Sequence, residues 1–161
     1  MERVLVGYAT RSGSTAQVAG ILGEELRAGG HDVTVADFRD DPDPAGFDTF
    51  VLGSAVQAAT WLPEGLAWLE SHRSTVGRAA LFNVSITAAD PAKTETALSY
   101  SRAAAKLIDV VAEAAFAGRY QPENVGRWKR LLLAVLRKKP EDHVDPGAIR
   151  AWAQSLVIRG R

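Results

Sequence analysis

Residues 8–20 read YATRSGSTAQVAG. An apolar run ends at Ala9, the hexamer TRSGST follows at 10–15, and a helical pattern takes over from Ser14. The hexamer holds four hydroxyls, Thr10, Ser12, Ser14 and Thr15, around one glycine, Gly13. A loop of this kind between a strand and a helix is suited to a ligand rich in oxygens. The first N–H groups of a helix have no intrahelical acceptor, and the helix dipole adds partial positive charge there. Such a terminus binds phosphate. Serine and threonine add donors without bulk, Gly13 allows close backbone approach, and Arg11 adds a charge. The competing reading is a helix cap that happens to be hydroxyl-rich, although a cap needs one such residue and four are present.

Outward from the hexamer, short β-rich runs alternate with longer helical ones. Residues 3–9 (RVLVGYA) read as a buried strand. Residues 14–28 carry Val18, Ile21, Leu22 and Leu26 at helical spacing and end at Gly29-Gly30. A second strand is expected over 31–38, a turn-rich connector over 40–46 (DDPDPAG) and a third strand over 48–53. A helix opened by Pro63 should run to about 72. Further strands are expected at 78–84 and 108–116, with a helix over 91–106 capped by Asp90 between them. A last helix should span about 145–157.

Near-continuous apolar strands alternating with helices predict an α/β fold: a five-stranded parallel sheet covered on both faces, in the order 2-1-3-4-5. The chain of 161 residues fits a single domain over 1–161, with a helical insertion after strand five at about 118–143. In such sheets ligands sit beyond the carboxyl ends of the strands, at the switch point between strands one and three. The hexamer lies there.

Composition narrows the chemistry. Nineteen basic and nineteen acidic residues give zero formal charge, so bulk electrostatics give no reason to expect nucleic acid as a partner. The chain has no cysteine, which excludes disulfides, thiol nucleophiles, cysteine-based phosphatase chemistry and thiolate-ligated metals. No GKS/T ending follows the hexamer, so it is not a nucleotide triphosphate loop. A GxGxxG is absent too, and strand one ends without the carboxylate of a phospho-acceptor domain. No metal site is expected. The apolar run near the start is short for a signal peptide, and no stretch approaches the roughly 18 apolar residues of a membrane span. These features lead to the expectation of a cytoplasmic protein.

TRSGST after the first strand resembles the phosphate loop of the flavodoxins, Thr/Ser-x-Thr/Ser-Gly-x-Thr. The resemblance extends over most of the chain and implies a flavodoxin-like three-layer sandwich binding FMN. Among flavodoxins the chain is most similar to the menaquinone-dependent protoporphyrinogen IX dehydrogenase group, through FDTFVLG at 47–53 and a basic, tryptophan-containing segment after strand five. The resemblance implies that Thr10, Arg11, Ser12, Gly13, Ser14 and Thr15 hold the FMN phosphate. It implies that the loop after strand three, Ser54, Ala55, Val56, Gln57, Ala58, Ala59, Thr60 and Trp61, lines the isoalloxazine. The loop after strand four, Asn83, Val84, Ser85, Ile86, Thr87, Ala88, Ala89 and Asp90, would close the other side. Topology nominates the same two loops. Trp61 offers a stacking face, and small residues at 55, 58 and 59 let backbone amides reach a flavin ring that the protein tunes. The dehydrogenase group carries basic and aromatic side chains where this chain has Gln57, Ala58 and Thr60. No catalytic acid or base stands out, since His31, His72 and His143 fall in turns or at helix ends away from this site and read as surface residues.

Residues 127–139 read RWKRLLLAVLRKK. Arg127, Lys129, Arg130, Arg137, Lys138 and Lys139 flank a stripe of Trp128, Leu131, Leu132, Val135 and Leu136. This pattern suits an interfacial helix on an anionic membrane, at roughly 1 kcal/mol per basic residue. Packing of the stripe on the domain with the charges solvated is the plainer alternative, and docking of an acidic protein a third. The resemblance implies an FMN oxidoreductase passing electrons from a reduced substrate to a quinone or protein acceptor, and the basic segment adds the expectation of a peripheral contact at the inner face of the membrane. The alternative is a small flavodoxin electron carrier with no substrate of its own.

Overall fold

The computed structural model describes residues 2–118 and 144–159. Strand β1 (Arg3–Ala9) leads into helix α1 (Ser14–Ala28), followed by β2 (Asp32–Asp37), β3 (Thr49–Gln57) and the short β4 (Thr60–Trp61). Helix α2 (Pro63–Val76) precedes β5 (Arg78–Ser85), two short helices α3 (Thr94–Ser99) and α4 (Arg102–Ala105), β6 (Asp109–Ala117) and α5 (Pro146–Arg159). The five long strands pair in parallel in the order β2-β1-β3-β5-β6, which is the predicted order. The segment 127–139, with Arg127, Trp128, Lys129, Arg130, Arg137, Lys138 and Lys139, lies outside the described residues, as does His143.

Period-two alternation along each strand feeds two cores. Val4 and Val6 of β1, Val51 of β3 and Ala80 and Phe82 of β5 face α1 and α5, where they meet Val18, Leu22, Leu26, Ile149 and Ala153. Leu5, Leu52 and Leu81 face the other way, onto Trp68, Leu69 and Val76 of α2 and Ala104 of α4. Both faces of the sheet being covered explains why its strands read as apolar runs. The hydrogen bonds from His31 N–H to the Leu26 carbonyl and from Gly30 N–H to the Arg27 carbonyl stop α1 where the glycine pair predicted. The side chain of Gln154 on α5 donates to Glu25 on α1 at 2.8 Å and ties the two helices.

The structure differs from the sequence expectation in two places that bear on the site. Strand three does not end at Gly53. It continues to Gln57, turns through Ala58-Ala59 and returns as β4, with Val56 opposite Trp61 and Gln57 opposite Thr60. The helix expected over 91–106 is a single 3-10 turn at Pro91–Lys93 followed by α3 and α4, interrupted at Tyr100 and Ser101.

Candidate functional site

The carboxyl ends of β1, β3, β5 and β6 converge on an open cleft of about 550 Å³. It is lined by Arg11, Ser12 and Ser14 from the hexamer, Ala55, Val56 and Gln57 from β3, Val84, Ser85 and Ile86 from β5 and beyond, and Gly118. The volume falls within the roughly 300–1,000 Å³ of small-molecule sites.

The hexamer forms the start of α1. Gly13 is the N-cap residue at φ +89°, and no side chain caps the helix. The hydroxyls are engaged elsewhere or not at all. Thr10 Oγ1 accepts from Gly13 N–H at 3.0 Å, Ser12 Oγ and Ser14 Oγ lie 3.3 Å apart, and buried Thr15 Oγ1 has no partner among the described residues. The first intrahelical bond runs from Gln17 N–H to the Gly13 carbonyl, so the amides of Ser14, Thr15 and Ala16 precede any helical acceptor. A cap that merely finished the helix would spend a hydroxyl on those amides. Here they stay available, and no acidic residue occupies the first turn to compete for them. Such an arrangement can receive an anion. Gly118 abuts it closely: a Cβ there would lie 3.3 Å from Ser14 Oγ and 2.9 Å from Val84.

Arg11 does not lie free over this terminus. Its guanidinium pairs both nitrogens with the Glu64 carboxylate in the first turn of α2, the Nη2–Oε2 contact being 3.1 Å. The hydrogen bond holds Glu64 below its ordinary carboxylate range and raises Arg11. A second pair stands nearby, Arg39 on Asp37 at 2.9 Å. Burial pushes the Asp37 carboxyl up, but hydrogen bonds from the Arg39 side chain and backbone outweigh it and leave the group lowered. Burial, with Asp37 and Asp40 adding to it, raises the Tyr8 phenol at the end of β1.

The structure sorts the two other expected loops. Ala55, Val56, Gln57, Val84, Ser85 and Ile86 reach the cleft, and Ile86 is 47% exposed. Ala58 and Ala59, at φ 54° and 62°, form the exposed hairpin tip, with Thr60 returning from it. Trp61 corrects the sequence reading. It offers no face to a ligand, because it is 1% exposed, packed in the α2-side core, and its indole N–H donates to Ser101 Oγ at 3.1 Å. Ser54 and Asn83 are also fully buried beneath the cleft. Ser54 Oγ accepts from Leu62 N–H and donates to the Ala55 carbonyl, while Asn83 Nδ2 donates to the Ala97 carbonyl and Ser101 Oγ. Thr87 Oγ1 lies 3.3 Å from the Tyr100 hydroxyl, and Asp90 accepts from Ala92 N–H. Sequence reasoning missed Gly118 and Ser101. The signal for Gly118 was its place at the end of the last strand. Nothing in the sequence marked Ser101.

The flavodoxin domain family matches residues 5–146 of the chain. No curated protein matches it. Among solved structures, oxidised flavodoxin 2 from Bacillus cereus superposes with a TM-score of 0.57 at 18% identity, covering 85% of this chain and 99% of that one. A Fusobacterium nucleatum flavodoxin, bound to flavin mononucleotide, gives 0.63 at 11% identity over 99% of both chains. Rubredoxin oxygen:oxidoreductase from Desulfovibrio gigas gives 0.62 at 15%, covering 99% of this chain and 36% of that larger one. At these identities the likeness is one of fold.

Proposed function

The chain belongs to the flavodoxin domain family, and from that premise we propose that it binds FMN in this cleft and transfers electrons through it. The observation that carries the proposal is the uncapped start of α1 at the carboxyl end of β1, where the amides of Ser14, Thr15 and Ala16 precede the first helical bond beside the hydroxyls of Ser12 and Ser14. The residues present fit a phosphate monoester: Ser12, Ser14 and the amides of Ser14, Thr15 and Ala16 would hold it, with the unpaired Thr15 Oγ1 beside them. Ala55, Val56, Gln57, Val84 and Ser85 would flank the ring, the small side chains of Ala55 and Ser85 admitting backbone donors to its polar edge. Bound FMN supplies the redox chemistry. The protein's part is to hold the group, limit water around it and leave one edge open beside Ile86.

Arg11 is the only ionisable side chain lining the cleft among the described residues, and it is already paired with Glu64. Among the described residues no imidazole or carboxylate lines the cleft, and electron carriage through a flavin needs none. The finer reading, a protoporphyrinogen IX dehydrogenase feeding a quinone or a protein acceptor, rests on residues 47–53 and on the basic segment 127–139, and so does the suggested peripheral membrane contact. Among the described residues no helix is long and apolar enough to cross a membrane. We take the chain as one domain with an insertion at about 118–143.

Titration with FMN tests the proposal, followed by quenching of flavin fluorescence. One equivalent should bind per chain, and riboflavin, which lacks the phosphate, should bind more weakly. Indifference to FMN would overturn the proposal. Anaerobic turnover with protoporphyrinogen and a menaquinone analogue separates enzyme from carrier.

A further inference from the structure

We infer that Ser101 is a positioning residue for the cleft, its hydroxyl joining the hairpin wall to the β5 wall through Trp61 and Asn83. The inference rests on the FMN reading for its ligand but on geometry for its substance. Ser101 is 2% exposed and sits in the break between α3 and α4. Its Oγ accepts from Trp61 Nε1 at 3.1 Å and from Asn83 Nδ2 at 2.9 Å. Both donors stand next to cleft-lining residues. Trp61 is paired directly with Val56, and Asn83 immediately precedes Val84.

The sheet register gives the tie its leverage. Ser54 and Asn83 are partners across β3 and β5, and the next rung pairs Ala55 with Val84, both of which line the cleft. Beyond that rung no parallel pairing joins the two strands, and they part to form the walls. Ser54 fastens the hairpin to itself by accepting from Leu62 N–H at 2.9 Å. Ser101 fastens it to the neighbouring strand. Trp61, Asn83 and Ser101, all buried, are thus joined by hydrogen bonds into a belt under the cleft floor, with Ser54 the sheet partner of Asn83. A buried hydrogen bond is directional and costly to leave unmade, so it fixes a distance that apolar packing alone leaves adjustable. This also accounts for the interruption of the expected helix. Ser101 caps no first turn with its side chain, which is turned into the belt instead.

The belt sets the spacing of the ring-side walls and leaves the α1 terminus untouched, so its removal should separate the two halves of the ligand. Trp61→Phe keeps an aromatic side chain but removes the N–H donor together with part of the buried indole; Ser101→Ala deletes the shared acceptor with little change in volume; Ser101→Thr keeps it. Trp61→Phe should weaken FMN by about tenfold, the equivalent of one lost buried hydrogen bond, and Ser101→Ala, which removes the acceptor of two, by at least as much. Inorganic phosphate, measured as a competitor, should keep its affinity, and Ser101→Thr should restore FMN binding. In the ligand-free protein, amide hydrogen exchange should quicken over residues 55–62 in the two weakened variants and stay unchanged in α1. Equal losses for FMN and phosphate, or unchanged exchange over 55–62, would overturn the inference. A wild-type protein that ignores FMN while its variants show the localised exchange would sink the FMN reading alone and leave the belt standing.

Discussion

Gly13 shows how a residue's reason can change when the backbone is seen. The sequence reading wanted a glycine so that a ligand could come close. The structure holds it at φ +89°, and a Cβ built there meets nothing within 4 Å. The requirement is therefore conformational, since the left-handed region costs an L-residue roughly 1–2 kcal/mol. Gly13→Ala should lower stability by about 1 kcal/mol in urea unfolding and weaken FMN by shifting the loop. A variant with wild-type stability would show that the loop relaxes without penalty. Gly53 is the opposite case. A Cβ there would lie 2.2 Å from the Phe82 ring, so this glycine is required by close packing of β3 on β5 and not by φ. Position in a strand pattern does not reveal that neighbour.

Among the strands and helices, β1 and α1 fall where the sequence placed them. Their signals are local: an apolar run, a 3.6-residue stripe and a terminating glycine pair. The β3–β4 hairpin escaped notice because its two-residue turn carries Ala58-Ala59, where the familiar signal is Asn-Gly. Both alanines occupy the left-handed region, at φ 54° and 62°. The tight antiparallel pairing and the Ser54–Leu62 bond hold them there. Replacing the pair by asparagine and glycine relieves that strain, and the double variant Ala58→Asn, Ala59→Gly should gain about 1 kcal/mol by its urea midpoint. No gain would mean that the turn is not strained in solution. The α3–α4 break was equally silent, because Tyr100 and Ser101 are not helix breakers by type.

For the folded protein taken together, the ion pairs at the head of the cleft make a prediction about acid. Glu64 is lowered chiefly by its hydrogen bond from Arg11, and Asp37 is lowered because the Arg39 hydrogen bonds outweigh burial. A carboxylate lowered on folding contributes stability that is present above its unfolded-state value and is lost as pH falls through its folded-state value. Stability should therefore decline on acidification below the ordinary carboxylate range. Glu64→Gln should flatten part of that decline when unfolding free energy is followed from neutral to acid pH. A slope identical to wild type would show that the Arg11–Glu64 pair, which is partly exposed, contributes nothing measurable.

The order of residues was enough to establish the architecture and to single out the hexamer as the proposed phosphate site, because both follow from short-range regularities: strand and helix periods, glycine stops, and a hydroxyl-rich turn where a strand meets a helix. Which side chains face the cleft and which support it from beneath was settled only by the folded chain. The sequence reading named Ser54, Trp61 and Asn83 together with Ala55, Val56 and Val84, and only the second three line the cleft while the first three are buried. The cleft opens at the strand ends, so Ala55, Val56 and Gln57 reach it in succession while Ser54 and Asn83, one rung earlier, are buried. That choice depends on partners distant in the chain, Ser101 above all, whose positions no local pattern encodes.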